Sequence, residues 1–89
     1  MPINKNLIVE AYDLRGNTKI FLSRYGDAII DYNKAIEIYP HNPYLFFWRG
    51  FAFEVMKEYQ KATKDLSISL KLDPDFSIAK SLLNHIENI

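Results

Sequence analysis

Apolar side chains recur along this chain at spacings of three and four residues, interrupted at intervals by proline, glycine and short polar runs. That spacing lines apolar groups along one face of a helix. Between Asp27 and Ile38, for example, Ala28, Ile29, Tyr32, Ala35 and Ile36 fall on one stripe. The same periodicity predicts helices over Asn6–Leu22, Asp27–Ile38, Pro43–Met56 and Tyr59–Leu72, with a last helix over about residues 76–88. Breaks are expected at Ser23–Gly26, Tyr39–Asn42, Lys57–Glu58 and Asp73–Asp75. Pro40 cannot continue a helix, and the residue before a proline avoids helical angles. Asn42 reads as an N-cap with Pro43 at the first helical position, where its missing N–H is no loss. Asp75 is expected to cap the last helix.

The pattern repeats. Shifting the chain by 34 residues superimposes Arg15 on Arg49, Gly16 on Gly50, Tyr25 on Tyr59, Ala28 on Ala62, Asp31 on Asp65 and Pro40 on Pro74. Similar residues reinforce the register, among them Tyr12 with Phe46, Leu22 with Met56 and Ile38 with Leu72. A constant offset of this kind marks a helical-hairpin repeat whose units stack to share a core. The stretch from Phe76 begins a third unit, but Leu83 stands in place of the arginine and Asn84 in place of the glycine. Terminal repeats decay in this way, so this stretch reads as a capping helix. The chain divides into a repeat over about 9–42, a second over about 43–76 and the cap, all within one domain of 89 residues.

Gly16 and Gly50 sit in mid-helix, where glycine costs about 1 kcal/mol against alanine. Close approach to Ala28 and Ala62 on the antiparallel partner helix is the simplest compensation. Tyr12-Gly16-Ala28-Pro40 and Phe46-Gly50-Ala62-Pro74 share one spacing of aromatic, glycine, alanine and proline. In residue type and spacing this resembles the tetratricopeptide repeat, over about residues 9 to 89. The resemblance implies an all-α, right-handed solenoid of two helical hairpins closed by a capping helix. The chain departs from the family pattern at Arg15 and Arg49, where leucine is more usual, at Lys19, where an aromatic is usual, and at Ser69, which replaces the alanine seen at Ala35. Arg15 with Asp31 and Arg49 with Asp65 stand at matching heights on antiparallel helices and are expected to form ion pairs, within a repeat or from Asp31 to Arg49 across repeats.

The resemblance also implies where a partner would lie, since in this family the first helix of each repeat lines a concave groove. The matching positions include Asp13, Leu14 and Asn17 in the first repeat, with Glu10 and Phe21 beside them. The second repeat supplies Tyr44, Phe47, Trp48, Phe51 and Val55, and the closing helix Ile78, Leu82 and His85, with Ser81. Leu45, Phe46, Gly50 and Phe53 already supply a packing stripe, so Phe47, Trp48 and Phe51 are expected to be surplus to the core and available as anchors for a partner. Padding of a small core is the alternative. On the closing helix Ala79, Leu83 and Ile86 form a line that can cover the second repeat. Ile78, Leu82 and Ile89 form a second line turned toward the groove. The family's clamp on chaperone carboxylates is matched here only by Asn17. Asp13 replaces its first lysine, Trp48 its second asparagine, and Ile78 and Leu82 its last two cations, so a carboxylate would not be held.

Composition narrows the function further. Eleven basic and eleven acidic residues leave no net charge, so the basic excess that nucleic-acid binding requires is missing. There are no cysteines, which excludes disulfides and thiolate metal sites. His41 and His85 lie 44 residues apart with no spacing that suggests metal ligation or a catalytic triad. No glycine-rich phosphate loop is present. No cofactor, catalytic residue or metal site is therefore expected. The N-terminal stretch from Met1 to Asn6 lacks the features of a signal peptide, and no apolar run spans a bilayer. The expectation is a cytoplasmic, non-catalytic scaffold that binds another protein or a peptide in an apolar, aromatic groove. The alternative is a homo-oligomerisation module whose groove is filled by a second copy of the chain.

Overall fold

The computed structural model describes residues 4–89, so the reading of the N-terminal stretch lies, for Met1–Ile3, outside the described residues. Those described form five helices and no strand: α1 Lys5–Phe21, α2 Tyr25–Ile38, α3 Pro43–Val55, α4 Tyr59–Leu72 and α5 Ser77–Glu87. The Asn42 side chain accepts the amide of Tyr44 at 2.9 Å, with Pro43 opening α3 as the sequence predicts. Asn4 caps α1 in the same way, accepting from the Asn6 amide at 2.8 Å. Asp75 does not cap α5. The N-cap position is Phe76, which makes no side-chain cap. Instead the Asp73 carboxylate accepts the Asp75 amide at 3.2 Å, closing a local turn two residues ahead of the helix.

Both hairpin turns are built alike. Ser23 and Lys57, 34 residues apart, adopt positive φ angles of 61° and 63°. In the first, the Ser23 amide donates to the Ile20 carbonyl at 2.9 Å and the Arg24 amide to the Lys19 carbonyl at 2.7 Å. Lys57 and Glu58 repeat the pair on Glu54 and Phe53, each at 2.9 Å. These crossed bonds satisfy the last carbonyls of α1 and α3 and reverse the chain. Gly26, expected in the first break, lies inside α2. The left-handed position falls to serine and lysine.

Within each repeat the two helices pack against each other, α2 packs on α3, and α4 packs on α5. Smaller contacts join α1 to α3 and α3 to α5, so the first helices of successive units meet along one side of a body measuring 50 × 28 × 17 Å. One core cluster holds Val9, Ala28, Tyr32, Ala35 and Leu45, and a second holds Phe47, Ala62, Leu66, Ala79 and Ile86. Trp48 packs against both. Gly16 faces the Tyr32 ring rather than Ala28, since a Cβ there would lie 2.9 Å from that ring. A Cβ on Gly50 would lie 3.2 Å from Asp65 Cβ and Leu66 Cγ and 3.3 Å from the Ala62 carbonyl oxygen. The first repeat thus uses its glycine to seat a fully buried tyrosine, and only the second brings helix backbone close to glycine.

Both intra-repeat ion pairs form. Arg15 reaches Asp31 at 2.6 Å and Arg49 reaches Asp65 at 2.8 Å. Lys19 joins the first at 3.0 Å from Asp31, so the residue that departs from the family's aromatic is a second cation on the same buried carboxylate. Across the repeats Arg49 donates to the Asn33 side chain at 2.9 Å, and Asp31 does not reach it. Ser69 is fully buried and donates to the Pro43 carbonyl at 2.8 Å, which satisfies the hydroxyl that replaces a methyl there.

Candidate binding groove

The side formed by α1, α3 and α5 carries the positions assigned to a groove. On α1, Leu14 is 69% exposed and Phe21 89% exposed, while Asp13 and Asn17 are half-buried and Glu10 is exposed. On α3, Tyr44 and Val55 are exposed and Trp48 and Phe51 half-buried. On α5, Ile78 is 61% exposed, Ser81 and His85 are exposed, and Leu82 is half-buried against the second cluster. Ala79 and Ile86 are buried and Leu83 packs beside them, as the covering line of a cap requires.

Phe47 departs from the expectation. It is 6% exposed and belongs to the second core cluster, with Ala62, Leu66, Ala79 and Ile86. Leu45, Phe46, Gly50 and Phe53 complete one stripe without it. In the fold α3 packs on α2 and α4 and also meets α1 and α5, and a helix packed on several sides needs a wider apolar surface than one stripe.

The rings nonetheless form one continuous series. Tyr44 and Phe76 lie 5.0 Å apart between centroids, Phe76 and Phe47 5.1 Å, Phe47 and Trp48 5.2 Å, and Trp48 and Phe51 5.9 Å. The last two contacts are edge-on, a favourable arrangement of ring quadrupoles. Phe76 is the link the sequence did not single out. It has no counterpart at Asn42, one repeat earlier, so periodicity carried no signal for it. The buried middle of the series anchors Tyr44, Trp48 and Phe51, which retain accessible surface.

The polar members divide in two. The Asn17 side-chain oxygen accepts the Tyr32 hydroxyl and is therefore engaged within the fold. Asp13, one turn earlier, has its Oδ1 shielded from solvent with no hydrogen-bond partner among the described residues. Burial raises the pKa of its carboxyl above the ordinary value. The Tyr32 hydroxyl is raised by its own burial first, and the negative charges of Asp13 and Asp31 add to this. Among the described residues no group of three or more His, Asp or Glu side chains is placed to hold a metal ion, and no helix is long and apolar enough to cross a membrane.

Two helical hairpins in a fixed register, with their first helices aligned on one side, define a helical-repeat protein. The sequence model described as "Tetratricopeptide repeat" matches residues 9–42. The chain belongs to the tetratricopeptide-repeat family. It is 37% identical over 76 residues to small glutamine-rich tetratricopeptide repeat-containing protein 2 of Mycosarcoma maydis, covering 85% of this chain and 22% of that protein. It is 32% identical over 77 residues to sperm-associated antigen 1 of Mus musculus, covering 86% of this chain and 8% of that one. The chain thus spans about a fifth or less of these relatives. Among solved structures, the first tetratricopeptide domain of Spaghetti (RPAP3), bound to the HSP90 peptide SRMEEVD, superimposes with a TM-score of 0.85 at 24% identity, covering 88% of this chain and 62% of that one.

Proposed function

We propose that this chain is a non-catalytic, cytoplasmic scaffold that holds a segment of another polypeptide along the side formed by α1, α3 and α5. The observation that carries the reading is the aromatic series from Tyr44 to Phe51, whose outer rings stay accessible, while Leu14 on α1 and Ile78 on α5 are exposed as well. Rigid aromatic groups with a buried footing and an open face are suited to anchor a partner. The superimposed Spaghetti domain, bound to a peptide, shows that this fold can carry one. Its acidic ligand is not expected here, because no lysine or arginine stands among the groove positions of this chain.

Leu14→Ser with Ile78→Ser tests the reading. Both residues are exposed, so stability should change by no more than about 0.5 kcal/mol. Binding to peptides selected on the unmodified chain from a synthetic library should fall at least about tenfold, or about 1.4 kcal/mol. Unchanged binding would refute the groove. Trp48→Ala should lower both affinity and melting temperature, since Trp48 packs on both core clusters. Loss of stability alone would return Trp48 to the role of core padding. Sedimentation equilibrium distinguishes the alternative occupant: a mass twice that of the chain, abolished by the same double substitution, would assign the groove to a second copy.

A further inference from the structure

Among the described residues, Asp31 and Asp65 are buried and Asp13 has one carboxylate oxygen shielded, and these three differ in their partners. Asp31 is held by Arg15 and Lys19, and Asp65 by Arg49. Asp13 has no ion-pair partner among the described residues, and its Oδ1 accepts no hydrogen bond. A carboxylate withdrawn from water without a compensating donor is unfavourable. The fold offers it no remedy. Arg15 and Lys19, the nearest cations along α1, are both engaged by Asp31, and the Tyr32 hydroxyl is committed to Asn17. The other charged group on the groove face of α1 is Glu10, of the same sign.

We infer that the groove takes a basic peptide segment, in which a Lys or Arg side chain of the partner donates to the Asp13 carboxylate while its apolar neighbours lie over Leu14, Trp48 and Ile78. This rests on the groove reading above and adds the chemistry of the partner. Charge complementarity is the ground for the choice. The positions facing the partner carry two carboxylates and no permanent cation, and one carboxylate is partly desolvated before anything binds. A cation on the partner donates to the accessible side of the half-buried Asp13 carboxylate, where its charge also offsets the shielded Oδ1. The raised pKa of Asp13, caused by its burial, agrees with a carboxylate that lacks a partner.

The test screens a positional-scanning library of synthetic 12-residue peptides against the full chain and against Asp13→Asn, with a defined acidic probe, SRMEEVD carrying norleucine in place of its arginine. The expected result is enrichment of Lys or Arg at a fixed spacing from an aromatic or aliphatic residue, with the arginine-free acidic probe binding far more weakly. Asp13→Asn should weaken the best peptide about tenfold. Replacing that peptide's basic residue with norleucine should cause a similar loss, with little further effect when both changes are combined. Melting curves of Asp13→Asn should show no loss of stability, which separates binding from folding. Enrichment of apolar peptides without a basic preference, equal binding by Asp13→Asn, or preference for the arginine-free acidic probe would overturn the inference and leave the groove standing. No enrichment of any peptide would overturn the groove reading and this inference with it.

Discussion

At the scale of single residues, three glycines do three different things. Gly26 lies inside α2, and a Cβ there would meet nothing within 4 Å. Gly26→Ala should therefore raise stability by about 0.5–1 kcal/mol through helix propensity and a less flexible unfolded chain. Gly50 has neighbours at 3.2 to 3.3 Å, one of them backbone. Gly50→Leu should overpack α3 against α4 and lose about 1–3 kcal/mol or more. Urea denaturation of the two variants checks both signs, and a neutral Gly50→Leu would refute the close approach. The repeated glycine was legible in the sequence, but its neighbour in the first repeat was not. Tyr32 and Leu66 occupy equivalent positions, and only the fold reveals that a fully buried tyrosine ring fills the space beside Gly16. The positive φ at Ser23 and Lys57 was equally hidden, because neither residue type favours that conformation. Phe47 was misplaced for a reason of the same kind, since sequence spacing marks a stripe but not how many helices will press on it.

Between elements, buried carboxylates tie each first helix to its second, and the one at Asp31 shapes the response to acid. The Arg15 guanidinium bonded to Asp31 lowers the pKa of that carboxyl, against the opposing effect of burial, with Lys19 assisting. A carboxyl with a depressed folded-state pKa contributes stability that is present above its unfolded value of about 4 and is lost as pH falls through its folded value. Asp13 behaves in the opposite sense. Its raised pKa makes its ionised form a liability in the folded state near neutrality, and that liability is relieved as pH falls through the raised value toward about 4. Unfolding free energy should therefore climb slightly on mild acidification and then drop below about pH 4. In Asp13→Asn the climb should vanish while the drop remains. Denaturant titrations across pH measure both, and a climb that survives Asp13→Asn would show that another group causes it. The ion pairs themselves could be read from the register of Arg15, Asp31, Arg49 and Asp65. The unpaired state of Asp13 could not, because it depends on where Lys19 and Arg15 turn once both have found Asp31.

On the scale of the whole molecule, the stack is close to one-dimensional. Each helix leans mainly on its neighbours, and the body is 50 Å long but 17 Å across its thinnest dimension. In such an array, stability is a sum of local interfaces rather than the property of one shared core. The two clusters are bridged by Trp48, and α5 enters the second of them alone through Ala79 and Ile86, with Leu82 and Leu83 beside these. A polar group at one of these positions should act from the end inward. Ala79→Asp places a carboxylate at a site of 0% exposure with no cation near it in the second cluster, which costs far more than α5 gains by docking. The helix should come away, uncovering Phe47 and Leu66, while α1 and α2 keep their own cluster of Val9, Ala28, Tyr32 and Ala35. Amide hydrogen exchange by residue reads the outcome directly. Protection should disappear over Ser77–Glu87, weaken in α3 and α4, and persist in α2. The groove would lose Ile78 and Leu82 at the same time, so binding by the folded remainder should fall even though no residue facing the partner was changed. Uniform loss of protection from α1 to α5 would mean that the five helices fold as one indivisible unit and that the linear description is wrong.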